Sequence, residues 1–181
     1  CVTMYLAQLY EVVRLDRHFA VDFPEEEDLA CILGIRDRLW DEESRRWTWT
    51  LNYDRRLTFS AAPEMNGFFL RGPESEFSCA VRFVRPLKAV VQDHEGPASE
   101  RTFSNGNHRV YPGARYVTLD VEGEREDVFA VLTVQRGDPP AMRSAGEGLG
   151  CRVQLAGREI FLDSIHWFEG PLRILEKEGG G

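Results

Sequence analysis

The span "ERTFSNGNHRVYPGARY", residues 100–116, gathers Arg101, Asn105, Asn107, His108, Arg109, Tyr111, Arg115 and Tyr116. An arginine fork fits a carboxylate, Tyr or His transfers protons, and an aromatic face accepts a sugar ring, so these types together suit an acidic-sugar site. On that chemistry His108, Arg109 and Tyr111 are the candidate catalytic groups. Asn105, Asn107, Arg115 and Tyr116 are the candidate substrate contacts, joined by Trp167 of "DSIHWFEG" as a stacking platform. The same residues also read without chemistry. Asn105-Gly106 and Pro112-Gly113 are turn dipeptides of a hairpin loop, and Trp167 beside Phe168 suits packing.

Other polar groups carry less. Asp93, His94 and Glu95 in "VVQDHEG" are consecutive, and on an extended strand they alternate between faces, so they do not converge on one metal without a bend. A solvated loop is the simpler reading. Trp47 and Trp49 share one strand face and suit either a groove or interlayer packing. His166, next to Trp167, could add to the platform. His18 reads as a group at a helix C-terminus, where the dipole favours a cation. Cys1, Cys31, Cys79 and Cys151 stand singly, with no CxxC pair and no His at ligand spacing, so no metal site and no cofactor is expected. Isolated cysteines read as small buried hydrophobes, and their spacing leaves the disulfide state open. No GxSxG, HExxH, P-loop or GxGxxG pattern occurs; "GEGLG" at 146–150 opens no helix.

Composition narrows the partners. The chain has 181 residues, 43% of them apolar, and a formal charge of −8. That charge and the absence of a Lys/Arg block argue against a polyphosphate partner, so no nucleic acid is expected. A local arginine cluster can still hold an acidic sugar. No stretch reaches the roughly 20 apolar residues that cross a bilayer, and no signal-peptide order is visible, so no membrane contact is expected. The sequence begins with Cys1, which reads as processing or as a fragment of a longer chain.

The elements that must position these groups come in two kinds. In "TMYLAQLYEVVRLDRHF", Leu6, Leu9, Tyr10 and Val13 recur at helical spacing and predict a first helix. In "VDFPEEEDLACILGIRDRLWDEE", Pro24 and the acids after it mark a helix start, and Leu29, Ile32, Leu33 and Trp40 continue an apolar face. Two such helices in succession predict a helical hairpin over 1–45. From Arg46 the period becomes two, and many short strands between Gly and Pro turns predict an antiparallel β-sandwich over 46–177, with 178–181 a disordered tail. The expected fold class is therefore α+β: an N-terminal helical hairpin packed on an antiparallel sandwich. The consecutive Val128, Phe129, Ala130, Val131 and Leu132 send large side chains to both faces and require cover on both, and Gly137 to Pro140 end the run.

The order helical hairpin, "RRWTWTLNYD", then a long antiparallel region ending in "EDVFAVLTVQRGDPP" and "GLGCRVQLAGREIFLD" resembles the carboxyl-terminal part of heparinase II/III-like polysaccharide lyases. There an α/α toroid precedes β-sandwich layers. The resemblance implies neutralisation of a uronate carboxylate by Arg or Asn, removal of the adjacent proton by Tyr or His, and protonation of the leaving oxygen by Tyr. It further implies an acidic polysaccharide partner, a preceding helical portion of the same protein, and a periplasmic or secreted location. No catalytic motif of that family is matched here, so the implied role is scaffold and part of a glycan cleft rather than a full β-eliminating unit. The alternative is a non-catalytic carbohydrate-binding or protein-interaction sandwich.

Overall fold

In the computed structural model the described residues are 2–5, 11–23, 25, 28–73, 77–84, 91–96, 101–102, 108–109, 114–145, 150–154, 158–163 and 174–178. Fourteen strands account for most of them: β1 (Val2–Tyr5), β2 (Arg14–Asp22), β3 (Leu29–Asp54), β4 (Thr58–Ala62), β5 (Gly67–Arg71), β6 (Ser78–Phe83), β7 (Gln92–Glu95), β8 (Arg101–Thr102), β9 (His108–Arg109), β10 (Ala114–Gln135), β11 (Ala141–Ala145), β12 (Gly150–Gln154), β13 (Arg158–Asp163) and β14 (Ile174–Glu178). The only helical element among the described residues is a 3-10 turn, Pro63–Met65.

The helical hairpin is therefore corrected. The first expected helix carries β1 and the start of β2, and the second lies largely within β3, which runs unbroken through residues 45 and 46. The reason is charge placement. Arg36, Asp37 and Arg38, charged residues set among the apolar positions, are all buried in a strand. In register Arg17 lies opposite Asp37 and Asp16 opposite Arg38. Arg17 donates through Nε and Nη2 to the Asp37 carboxylate, each at 2.6 Å, and Arg38 Nη2 donates to Asp16 at 3.2 Å. A strand whose polar residues are neutralised across the ladder no longer alternates apolar with polar, and the remaining Leu and Ile positions imitate a helical stripe. His18 is likewise corrected: it sits buried in β2, where desolvation and then the nearby Arg38 hold its imidazole below the ordinary range.

Eight strands form one sheet in the order β1-β2-β3-β10-β6-β5-β4, with β7 also paired to β10; β11-β12-β13-β14 form a second sheet, and β8 pairs with β9. The run 128–132 is covered on both faces. Phe129 and Val131 join Ile32 and Ala80 against Met142, Cys151, Val153, Ile160 and Leu162 of the second sheet. Val128, Ala130 and Leu132 join Trp49, Tyr53, Phe68, Phe83, Val117 and Leu119, and every buried member of that second core belongs to the large sheet itself. The large sheet folds over on itself. Its crease is an irregularity in the β3–β10 ladder: Gly123 pairs Arg45 and Arg125 pairs Trp40, so Asp41 to Ser44 stand opposite Glu124 alone. The odd residue on β10 switches the pleat, and the inward set changes from Val117, Leu119 and Val121 to Val128, Ala130 and Leu132.

Thr133, on the same face as Val131, is fully buried, and its Oγ1 has no hydrogen-bond partner among the described residues. A hydroxyl buried without a partner carries its desolvation cost unrepaid. Thr133→Val should therefore raise unfolding free energy by about 1 kcal/mol, read as a higher urea midpoint at unchanged slope. A lower midpoint would mean that the hydroxyl is bonded.

Candidate functional site

A groove of about 370 Å³ opens at the crease. It is lined by the apolar Leu15, Leu39, Val121 and Val128 and by Arg17, Asp37, Arg45, Arg46 and Trp47. Residues on both sides of the irregularity line it, so the same four-residue bulge that bends the sheet also opens the cleft. Trp47 is fixed there by donating its indole N–H to the Gly123 carbonyl at 3.3 Å. Trp49 lines the groove from below, packed edge-to-face on Phe83 with ring centroids 5.2 Å apart. Both readings of this pair of tryptophans are thus combined: Trp49 is core and Trp47 is groove wall.

The arginines differ in how firmly they are held. Arg17 is locked on buried Asp37 by its bidentate bond. Arg45 pairs with Asp41 four residues earlier, and Arg46 with Asp120 across the ladder, but their side chains remain 48% and 71% exposed. Arg46 stands mostly in solvent, where an ion pair contributes little, so a carboxylate or sulfate entering the groove can replace Asp120 there; Asp41 is buried, and Arg45 stays on it while its exposed part faces the groove. Arg46 and Thr48 bind the Asp120 carboxylate, and the Arg46 contact, followed by the Thr48 hydroxyl, holds its pKa below the usual range.

A second polar cluster lies at the far end of the same strands. Arg115 Nη2 donates to Asp93 at 2.6 Å, and Tyr53 donates its phenol O–H to the same carboxylate. Burial and then Asp93 push the Tyr53 phenol up to about 12, so it is a hydrogen-bond donor and not a base at neutral pH. On the opposite face Tyr116 stacks on His94, centroids 4.6 Å apart and planes 14° apart, while His94 Nε2 meets Thr118 Oγ1 at 2.8 Å. Asp93, His94 and Glu95 lie in the strand β7, not in a loop, and neighbouring residues do alternate: Asp93 turns to Tyr53 and His94 to Tyr116. No cluster of three or more His, Cys, Asp or Glu capable of holding a metal occurs among the described residues.

Of the residues picked from sequence, Arg115 and Tyr116 are adjacent on β10 but face opposite sides of the sheet. His108 and Arg109 lie on β9, opposite Thr102 and Arg101. Asn105, Asn107, Tyr111, His166 and Trp167 lie outside the described residues. The sequence reading missed Arg17, Asp37, Arg45 and Arg46 as a group. The visible signal was the Arg45-Arg46 pair directly before the alternating "WTWT".

No family model matches the sequence, and no curated protein matches it. Among solved structures the chain is similar to heparan sulfate lyase HepC from Pedobacter heparinus, with a TM-score of 0.47 and 10% identity over 92% of this chain and 27% of that one. A mutant of the same lyase gives a TM-score of 0.46 at 9% identity, again over 92% and 27%. Heparinase III gives 0.42 at 10% identity, over 91% and 24%. The likeness is weak and lies at the level of fold. The chain spans about a quarter of the length of these lyases.

Proposed function

We propose that this chain is a glycan-binding β-module of polysaccharide-lyase type, a scaffold that holds an acidic saccharide in the crease groove rather than a full catalytic unit. The observation that supports it is exposed Arg46, weakly held on Asp120, with Arg45 and the Trp47 indole beside it in a groove also lined by Leu15, Leu39, Val121 and Val128. Guanidinium forks match carboxylate or sulfate, and an indole face matches the C–H face of a pyranose. The protein as a whole is acidic, so attraction of an anion depends on a local cluster such as this one.

Titration calorimetry with heparan sulfate oligosaccharides tests it. A hydrogen bond to a charged group contributes roughly 1.5–3 kcal/mol, so Arg46→Ala should weaken binding about tenfold or more. Raising the salt concentration should weaken wild-type binding further. Equal affinity of Arg46→Ala and wild type would remove the groove from consideration. Absorbance at the unsaturated-uronate band should not rise. A rise that disappears in His108→Ala would instead assign proton transfer to the segment bearing His108, Arg109 and Tyr111, and make the chain a lyase in its own right.

A further inference from the structure

Arg46 and Thr48 line the groove, yet both also bind Asp120 on the outer face of the large sheet, so groove and outer face meet there. Beyond them the outer face runs along β3 and β10 as directly opposed pairs, Thr48 with Asp120, Thr50 with Thr118 and Asn52 with Tyr116. β7 extends the last two rows with Gln92 and His94. We infer that a saccharide anchored by its acidic group at Arg45 and Arg46 continues across this strip, laying neutral, hydroxyl-bearing rings over it as far as the His94–Tyr116 ring pair. This rests on the groove reading given above.

The strip has the properties such a path needs. Past the Arg46–Glu122 row its side chains are hydroxyls and amides, with Asp120 the one carboxylate, so it offers donors and acceptors to sugar hydroxyls and no cation to a second carboxylate. Asp120 is kept ionised by Arg46 and Thr48 and remains partly open to solvent. The alternate residues Val117, Leu119 and Trp49 are buried in the core below, which fixes the outward side chains in place before any ligand arrives. The ring pair is locked at its far end by the His94 to Thr118 bond. From Glu122, opposite Arg46, to Tyr116 is six residues, about 20 Å of strand at ~3.3 Å each, room for several pyranoses.

The test is a length series of aldouronic acids, each carrying one uronate and one to four neutral pyranoses, titrated into the whole chain. Wild type should bind the two-ring compound and tighten fivefold or more towards the longest. Tyr116→Ala and, separately, His94→Ala should abolish that gain while leaving two-ring affinity unchanged, with far-ultraviolet circular dichroism confirming the fold. A two-ring ligand that binds wild type with no gain on lengthening, or a gain that both variants retain, overturns the strip alone. Failure of the two-ring ligand to bind at all overturns the groove reading beneath it.

Discussion

Gly67→Ala should cost roughly 4 kcal/mol or more, enough to unfold much of the protein under ordinary conditions. Gly67 opens β5, opposite Ala62 on one side and Arg82 on the other. A β-carbon there would sit 1.8 Å from the Val81 carbonyl oxygen and 2.9 Å from its carbon. Both are backbone atoms of a central strand pairing, and neither can swing aside as a side chain would. The neighbourhood is tied down as well: Asn66, at a φ of 54°, caps the 3-10 turn, its side-chain amide donates to the Phe83 carbonyl at 2.7 Å, and Phe83 N–H donates to the Asn66 carbonyl at 2.9 Å. Relief must come from moving β5 away from β6, which opens the core around Phe68 and Phe83. Equilibrium urea unfolding measures the loss. A shift below about 1 kcal/mol would show that the two strands have slack that this close approach denies.

How much of this was readable beforehand varies along the chain. Where local chemistry decides, the reading held. The doubly apolar run at 128–132 is buried on both faces, and the chain bends at Arg136, Gly137 and Asp138, with Gly137 at a φ of 70°. β5 ends just before Gly72-Pro73 and β13 begins just after Gly157, as expected of short strands set between turn residues. Where long-range pairing decides, it failed. The stretches on either side of Gly123, which the expectation of short strands between Gly and Pro turns would separate, are one strand, β10, because the irregularity at Gly123 and Arg125 bends the ladder without ending it. Residues 29–45 looked helical because their charges are neutralised by partners on β2 and β10, which no window of contiguous sequence contains.

The candidate site shows the same division. Clustering polar and aromatic residues in one loop is a local criterion, and it selected Arg115 and Tyr116, which the pleat then sends to opposite faces. The crease groove draws Arg17 from β2, Asp37 and Arg45 from either side of the bulge in β3, and Val121 and Val128 from β10. It exists only because four residues on β3 oppose one on β10. A register shift of that kind is a property of two strands together, so composition along either strand alone does not reveal it.

The buried ion pair behind the missed strand makes the other large expected effect. Asp127→Ala should destabilise the fold by about 3–5 kcal/mol, because it strips a carboxylate from a guanidinium that water does not reach. The Arg36 side chain is 3% exposed; its Nε donates to Asp127 Oδ1 at 2.9 Å and its Nη2 to Oδ2. The pair itself need not be worth that much. Desolvating both ions costs nearly what their attraction returns, so the penalty is that of leaving Arg36 charged and buried without this carboxylate. The double variant Arg36→Met with Asp127→Leu removes both charges and keeps apolar bulk, and it should recover most of the loss. Urea unfolding of wild type, the single variant and the double variant separates the cases. A mild single variant would mean that Arg36 reaches solvent or another acceptor easily. A double variant as damaged as the single would mean that the pair stabilises β3 against β10 by its own attraction, beyond neutralising a buried charge.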